Sequence, residues 1–522
     1  MKVKGGKRVS FKERFGMSPL ALISVVFGVF MAILDNTVVN VAIPKMMSVF
    51  SATQNEIEWV ITAYLLVTGM LTPVSGYLGD RFGQKRIYLL ALGIFTLGSA
   101  LCGLSWSTQS IIVFRVLQAI GGAMLMPVSM TILFSMSKPE RRGTIMGIWG
   151  IALMFAPALG PTLSGYFVEY LNWRLIFYIN VPIGFLSFFM VTASIPKMPA
   201  RSTERLDIAG FLTSLGGFFC VLYALSEAPA DGWGSITILS FLTVGIILLA
   251  FFVAIELTAK NPMLDLRLFK RKVFLVSIIT SSLLSISMLG ALFILPVFLQ
   301  NSLGFTPLET GLLTLPGAIV TGVLMPISGV LFDRIGARPL GIIGLAIMLV
   351  GSILLMGINL NWTFGTILLV YMFRQAGMGL SMMPLSTAGM NDVPRDMVSR
   401  ATALQNTMRN VAGSIGTAYL STVMQSQSTS NLITYLQRLS LHNLSQINLT
   451  GIPSVFGITS STQLTSLVGE LQQIAFEHGT QAAFVVAAII SVLGFLSVLF
   501  IGKKKPPLEL AQRGGRSAAL VE

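Results

Sequence analysis

Fourteen stretches of this chain are apolar for at least about 18 residues, the length a helix needs to cross the hydrocarbon of a bilayer. They lie near 17–44, 58–79, 87–106, 110–136, 144–168, 175–195, 207–226, 235–256, 273–299, 309–332, 339–358, 363–388, 401–424 and 481–501. Hydrocarbon offers no water to the backbone, so each stretch must satisfy its own N–H and C=O groups as a helix. With 54% hydrophobic and 11% charged residues, the 522-residue chain lacks the polar surface of a soluble protein. The expected fold class is all-α integral membrane, with fourteen transmembrane helices.

Charge sets the expected orientation. An even number of spans puts both termini on one side, and 29 of the 35 Lys and Arg residues fall in the tails and loops of that side. The opposite loops hold Lys45, Arg174 and Arg438, while Arg115, Arg374 and Arg409 lie within spans. Positive loops stay in the cytoplasm, so both tails are expected there, in a cytoplasmic (plasma) membrane. The +14 net charge comes in small groups with no continuous basic face, which argues against a nucleic-acid partner. The basic stretch Lys2 to Arg14 leads into an apolar run with no small-residue cleavage site, so a retained first span is expected rather than a signal peptide. Cys102 and Cys220 lie in spans and imply no disulfide framework.

A charged hairpin occurs twice. Gly76-Tyr77-Leu78-Gly79-Asp80-Arg81-Phe82-Gly83-Gln84-Lys85-Arg86 joins the second and third spans, and Gly329-Val330-Leu331-Phe332-Asp333-Arg334-Ile335-Gly336-Ala337-Arg338 joins the tenth and eleventh. Pro44 precedes Asp80 by 36 residues, Pro296 precedes Asp333 by 37, and Arg115 to Gln118 in the fourth span is echoed by Arg374-Gln375 in the twelfth. Spans one to six and nine to fourteen therefore read as two homologous six-helix bundles, with spans seven and eight inserted between them. The expected boundaries are 1–200 for the first bundle and its tail, 201–260 for the inserted pair, 261–502 for the second bundle and 503–522 for a basic tail. Two like-oriented bundles facing a central cavity are the geometry of alternating access.

Asp35 is the leading candidate for chemistry. At 100° per residue, Asp35, Asn36 and Asn40 share an arc of about 140° on an otherwise apolar helix. A carboxylate near mid-membrane costs ~2.5–3.5 kcal/mol on insertion scales, so it tends to hold a proton until water, a cation or a partner charge arrives. Those are the properties of a proton-coupling or cation-binding site, weighed against a carboxylate merely satisfied by neighbouring helices. Both histidines, His442 and His478, fall in the loop at 425–480, so no histidine relay is available within the spans. Arg115, with Gln118 one turn on, either snorkels to the interface or places a fixed positive charge beside that carboxylate. Arg374, Arg409 and Glu309 are candidates for a second-half cavity.

In the first hairpin, Gly76 and Gly79 permit close packing and Gly83 a tight turn. Asp80 can cap or salt-bridge a neighbouring helix end, and Arg81, Lys85 and Arg86 can meet helix C-terminal dipoles. Such a cluster can latch one access state. The second copy, with Asp333 and Arg334, lacks a Lys85 equivalent and has Phe332 in place of Gly79, so it is expected to be the weaker. In the fifth span, Gly143, Gly147 and Gly150 allow close helix approach, and Pro157 and Pro161 are expected to bend the helix. In the loop at 425–480, Leu432, Leu436, Leu439, Leu464, Leu467, Leu471 and Ile474 recur at steps of three and four. They predict two short amphipathic helices on the outer membrane surface, as a lid or a docking point for an accessory envelope partner.

Together these residues resemble the major facilitator superfamily, and within it the fourteen-helix drug:proton antiporters. Gly76 to Arg86 is similar to the superfamily's signature loop, and Leu34 to Pro44 to the first-helix motif whose aspartate handles protons and cationic drugs. Arg115 to Gln118 with Gly121-Gly122 matches the fourth-helix motif, with Ala119 where glycine is usual. Ala158-Leu159-Gly160-Pro161 with Gly165 matches the fifth-helix antiporter motif, with Ser164 where a second glycine is common. Asn172 to Gly184 and Pro262 to Phe269 also look like this group.

The resemblance implies a monomeric multidrug exporter in which Asp35 alternates between proton and cargo and Arg115 tunes it. Its cargo would be amphipathic drugs, cationic or neutral, and its energy the proton motive force, without a cofactor or metal. No Walker-type glycine loop is present, which argues against an ATP-driven pump or an enzyme of that kind. One rival is a dedicated exporter of an endogenous metabolite, lipid or siderophore. A non-transporting sensor or scaffold is a further rival, though it need not keep a costly buried acid.

Overall fold

The computed structural model describes residues 11–198, 200, 207–259, 262–444 and 461–502, and these are helical with no strand among them. Most of the two basic tails, Arg201, Arg205 and the middle of the 425–480 loop lie outside the described residues, as do the side chains of Arg438, Leu439, His442, Leu464 and Leu467.

A helix covers every expected span. In order these are Pro19–Phe50, Gln54–Leu71 with Val74–Phe82, Gln84–Gly103, Thr108–Met136, Arg142–Tyr170, Leu175–Tyr178 with Asn180–Ser194, and Ile208–Asp231. They continue as Ile236–Thr258, Lys272–Asn301, Pro307–Ile335, Ala337–Leu355, Phe364–Asn391, Val398–Leu444 and Ser461–Val498. We name them α1 to α14. Eleven are long and apolar enough to cross a membrane, and α2, bent by 58°, makes a twelfth if its two parts count together. The two that fall short, α12 and α13, carry Arg374 and Arg409. They turn much of their polar surface inward, where neighbouring helices rather than lipid receive it. The chain is a multi-pass membrane protein.

Helix ends follow local chemistry. Thr53 with Glu56, Ser107 with Ser110, and Thr306 with Glu309 form capping boxes, each satisfying backbone N–H groups that the first turn leaves free. Gly83 and Gly336 separate α2 from α3 and α10 from α11 at φ 88° and 85°, a region closed to most side chains.

The 425–480 segment differs from expectation. α13 runs unbroken for 47 residues to Leu444, and α14 is already helical at Ser461. At 1.5 Å per residue α13 is about 70 Å long, more than twice the hydrocarbon core of about 30 Å. The described parts of the loop are therefore extensions of two paired membrane helices, with Tyr435 Oη 3.4 Å from His478 Nδ1. The leucine spacing reported helix correctly, but periodicity does not mark where one helix joins another.

Packing divides the molecule by depth. On the side of the two hairpins, one apolar core draws Tyr77 and Trp149 from the first bundle together with Met325 and Leu404 from the second. On the far side the bundles keep separate cores, one around Val38, Ile111 and Phe177 and another around Phe298, Tyr371 and Phe484. The inserted α7 lies between α2 and α13. Tyr223 stacks on Trp59 with centroids 6.2 Å apart, and Trp233 Nε1 donates to Thr422 Oγ1 at 2.9 Å. α8 packs against α7, where the Cβ of any larger residue at Gly245 would fall 2.8 Å from Val221 Cγ2.

Candidate functional site

The buried acid and the buried arginine meet. Arg115 Nη1 donates to Asp35 Oδ2 at 2.5 Å, and both side chains are wholly buried. Gln118 Nε2 and Asn180 Nδ2 donate to Asp35 Oδ1 at 2.9 and 2.7 Å, so the carboxylate accepts three N–H bonds. Arg115 is held in turn: Nε donates to Val60 O at 3.1 Å, Nη1 to Gln118 Oε1 at 2.8 Å, and the guanidinium lies over the Tyr64 ring at 4.1 Å. Only its Nη2 is buried without a partner. Snorkelling is excluded for this arginine. Asn36 is half-buried and Asn40 exposed, and neither joins the cluster, because only Asp35 of that polar stripe faces α4.

The two hairpins act crosswise. Asp333 of the second half accepts from Gly143 N at 2.9 Å and from Thr144 N and Oγ1 at 3.0 and 2.6 Å, at the first turn of α5 in the first half. Asp80 of the first half accepts from Ser399 Oγ at the first turn of α13 in the second half, with Arg400 Nε 3.8 Å away. Each carboxylate thus sits on the positive end of a helix belonging to the other bundle. Phe332 does not keep Asp333 from the backbone donors of α5. Lys85 Nζ caps the end of α6 through Thr192 O at 2.8 Å and Ile195 O at 2.5 Å, while Arg81 Nη1 donates to Tyr77 Oη at 2.6 Å. Arg86 and Arg334 are exposed. Gly76 packs on Ser399, and Gly79 packs on Gln84 of its own hairpin. Further contacts seal this side, including Thr131 Oγ1 to Thr402 Oγ1 at 2.5 Å.

The second half repeats the arginine without the acid. Arg374 Nη2 donates to Ser287 O and Oγ at 2.7 and 2.9 Å, and Nε to Ser352 Oγ at 3.1 Å. Ser287 lies nine residues before Pro296, as Asp35 lies nine before Pro44. A narrow cavity opens beside Arg374, walled by Leu153, Pro157, Leu292, Tyr371 and Gln375. A second, nearer the hairpins, is lined by Met130, Met378, Met382, Met383, Gln405 and Arg409, and Met288 borders both.

Comparison with known proteins decides the family. Residues 25–417 match the model of the Major Facilitator Superfamily. The chain belongs to the major facilitator superfamily. It is 41% identical to the uncharacterised transporter YhcA of Bacillus subtilis over 419 residues, 80% of this chain and 79% of that protein. It is 31% identical to the lincomycin resistance protein LmrB of Listeria innocua over 91% of this chain and 95% of that one. It is 30% identical to the multidrug resistance protein B homolog of Mycobacterium tuberculosis H37Rv, over 96% and 93%. Among solved structures, the proton:xylose symporter XylE shares the fold with a TM-score of 0.58 at 14% identity, covering 93% of this chain and 96% of its own.

Members of this superfamily are transporters, and the remaining candidates can be placed on that frame. Along α5, Gly143 and Gly147 press on α10, with a Cβ at Gly147 falling 2.5 Å from Met325 O. Gly160 presses on α1 instead, where its Cβ would fall 2.7 Å from Thr37 Cβ. Gly165 has open space around it and is not a contact point. Pro157 borders the upper cavity and Pro161 faces Gly311 of α10, while α5 remains one uninterrupted helix. Glu309 does not reach a cavity: it is exposed and committed to the capping box with Thr306. Three partners of the Asp35 cluster went unassigned from the sequence. Asn180 stands within the Asn172 to Gly184 stretch, and an asparagine inside a transmembrane helix was signal enough; Ser99 and Tyr64 carried none.

Proposed function

We propose that this chain is a fourteen-helix, proton-coupled exporter that moves amphipathic compounds across the cytoplasmic membrane by alternating access, working as a monomer with both tails in the cytoplasm. The observation that carries the reading is the dry pair of Asp35 and Arg115, in a molecule closed on the hairpin side by two crosswise carboxylate latches. With the hairpin side cytoplasmic, as the basic loops require, this arrangement faces outward.

The chemistry follows from the donors. Arg115, Gln118 and Asn180 all offer N–H groups, which bind an ionised Asp35 and have less to gain from a protonated one. A proton arriving at Asp35 removes the ion pair and leaves the guanidinium buried without its counter-charge, a costly state. Relief comes from moving α4 against α1, and that displacement is what couples protonation to access. A potential of 100 mV supplies ~2.3 kcal/mol for each charge moved inward. No bound cofactor is needed. The relatives named for lincomycin and multidrug resistance support drug-like cargo.

The test uses proteoliposomes holding the purified chain, an imposed pH gradient and a dye that reports internal pH. Ethidium, lincomycin and 1-naphthylacetate are added in turn. At least one should elicit a proton flux that a protonophore abolishes and that Asp35→Asn lacks. Cargo movement indifferent to both the protonophore and the substitution would sink the mechanism.

A further inference from the structure

We propose that the cargo of this transporter carries an acidic group, which supplies the counter-charge that Arg409 and Arg374 lack. The inference rests on the export reading above and names the class of compound exported. It starts from a charge balance at mid-membrane. Arg374 lies ten residues along α12 from Phe364 and Arg409 eleven along α13 from Val398. Those positions are about 15 and 17 Å in from helix ends on opposite sides of the membrane, so both residues sit near the bilayer centre. Arg115 is neutralised by Asp35. Among the described residues, no carboxylate lies within ion-pair distance of Arg374 or Arg409.

An arginine cannot escape this by losing its proton, and an uncompensated charge in the membrane interior is costly to keep. Neutral hydrogen bonds hold each guanidinium only in part. Arg374 uses Nε and Nη2 on Ser352 and Ser287, leaving Nη1 without a partner among the described residues. Arg409 uses Nη2 on Asn406 Oδ1 and Met126 Sδ, both at 2.7 Å, and its Nε and Nη1 have no partner there. The free N–H groups belong to residues that border the two cavities sharing Met288. A guanidinium fork matches the two oxygens of a carboxylate and binds sulfonate or phosphate oxygens as well. Arg409, half-buried and with two free N–H groups, is the direct contact, and Arg374 adds its field from above.

The rest of the lower cavity suits the apolar part of such a molecule. Met130, Met378, Met382 and Met383 present flexible, polarisable thioethers that adapt to aromatic or alkyl shapes. Cationic cargo, implied by resemblance at the first helix, would meet two arginines and no free carboxylate in these chambers. Among the described residues the one acid at this depth, Asp35, is sealed behind its own three donors.

The test compares three probes on one skeleton, 1-naphthylacetate, its methyl ester and 1-naphthylethylammonium, by equilibrium dialysis against the detergent-purified full chain. The acid should bind about tenfold or more tighter than the other two. Arg409→Gln should erase that preference and leave the ester unchanged, while Arg409→Lys keeps most of it. The wild-type ranking alone decides the matter if the glutamine variant does not fold. Equal binding of all three, tighter binding of the ammonium, or binding of none overturns the proposal. Acid-selective binding without proton flux in proteoliposomes would defeat the export reading and leave this one standing. Proton-coupled movement of the ammonium probe with no movement of the acid would do the reverse.

Discussion

Asp35 on α1 and Arg115 on α4 face each other at 2.5 Å with solvent reaching neither side chain. A buried pair adds little stability over a well-packed apolar pair, but losing one member is severe because the other charge stays buried. Asp35→Ala should therefore cost about 3–5 kcal/mol in thermal unfolding of the purified protein, and the double variant with Arg115→Ala less than the sum of the singles. Asp35→Asn keeps the shape and an acceptor oxygen. It should stay folded, bind cargo and show no cargo-driven proton flux.

The crosswise latches predict a graded shift in access. A carboxylate at a helix N-terminus contributes about 0.3–2 kcal/mol, so Asp80→Asn or Asp333→Asn should each move the balance between states several-fold. A cysteine placed at Thr402 in the hairpin-side seal reports it through its rate of labelling by a membrane-impermeant thiol reagent added to inside-out vesicles. Each single variant should label faster than the parent, and the double variant faster than either. Equal rates in all four would remove the latches from the mechanism.

Along α5 the glycines separate by what faces them. Gly160→Val should impair folding or transport, because the new Cβ falls 2.7 Å from Thr37 Cβ. Gly165→Ala meets nothing within 4 Å and should leave transport unchanged, with stability equal or higher by about 0.5–1 kcal/mol. Transport and melting temperature of the two variants in one lipid mixture decide the matter.

Legibility from the sequence varied with the kind of force involved. Spans and their helical state were plain, since hydrocarbon leaves the backbone no alternative. That Asp35 and Arg115 pair was legible because a charge in an apolar run needs a partner, and Gln118, one turn from Arg115, joins them. Asn36 and Asn40 were not separable from Asp35, for an arc of the helix wheel does not say which neighbour each part faces. Glu309 misled because an acid at a helix start serves equally as a cap. The mutual capping by Asp80 and Asp333 was invisible for another reason: it joins residues 190 or 319 positions apart, and no local pattern records that distance. The absence of an acid opposite Arg374 becomes visible once the two halves are aligned on Pro44 and Pro296.

That alignment suggests a direct manipulation. Ser287→Asp would place a carboxylate where Arg374 Nη2 now donates to the serine hydroxyl at 2.9 Å, reproducing in the second half the pair found in the first. The variant should fold and melt no lower than the parent, since both charges gain a partner. Its affinity for 1-naphthylacetate should fall about tenfold while its affinity for the methyl ester holds.

The wedge formed by α7 carries a consequence for the surrounding lipid. It touches α2 of one bundle through Trp59 and Tyr223, and the turn that follows it touches α13 of the other through Trp233 and Thr422. In the proposed alternating-access cycle, α7 travels with one bundle, and its contact with the other must part and re-form. Each such turnover would uncover apolar protein surface that acyl chains must wet and later vacate. The bilayer would then be a reactant in the cycle, with its chain order and thickness setting part of the barrier.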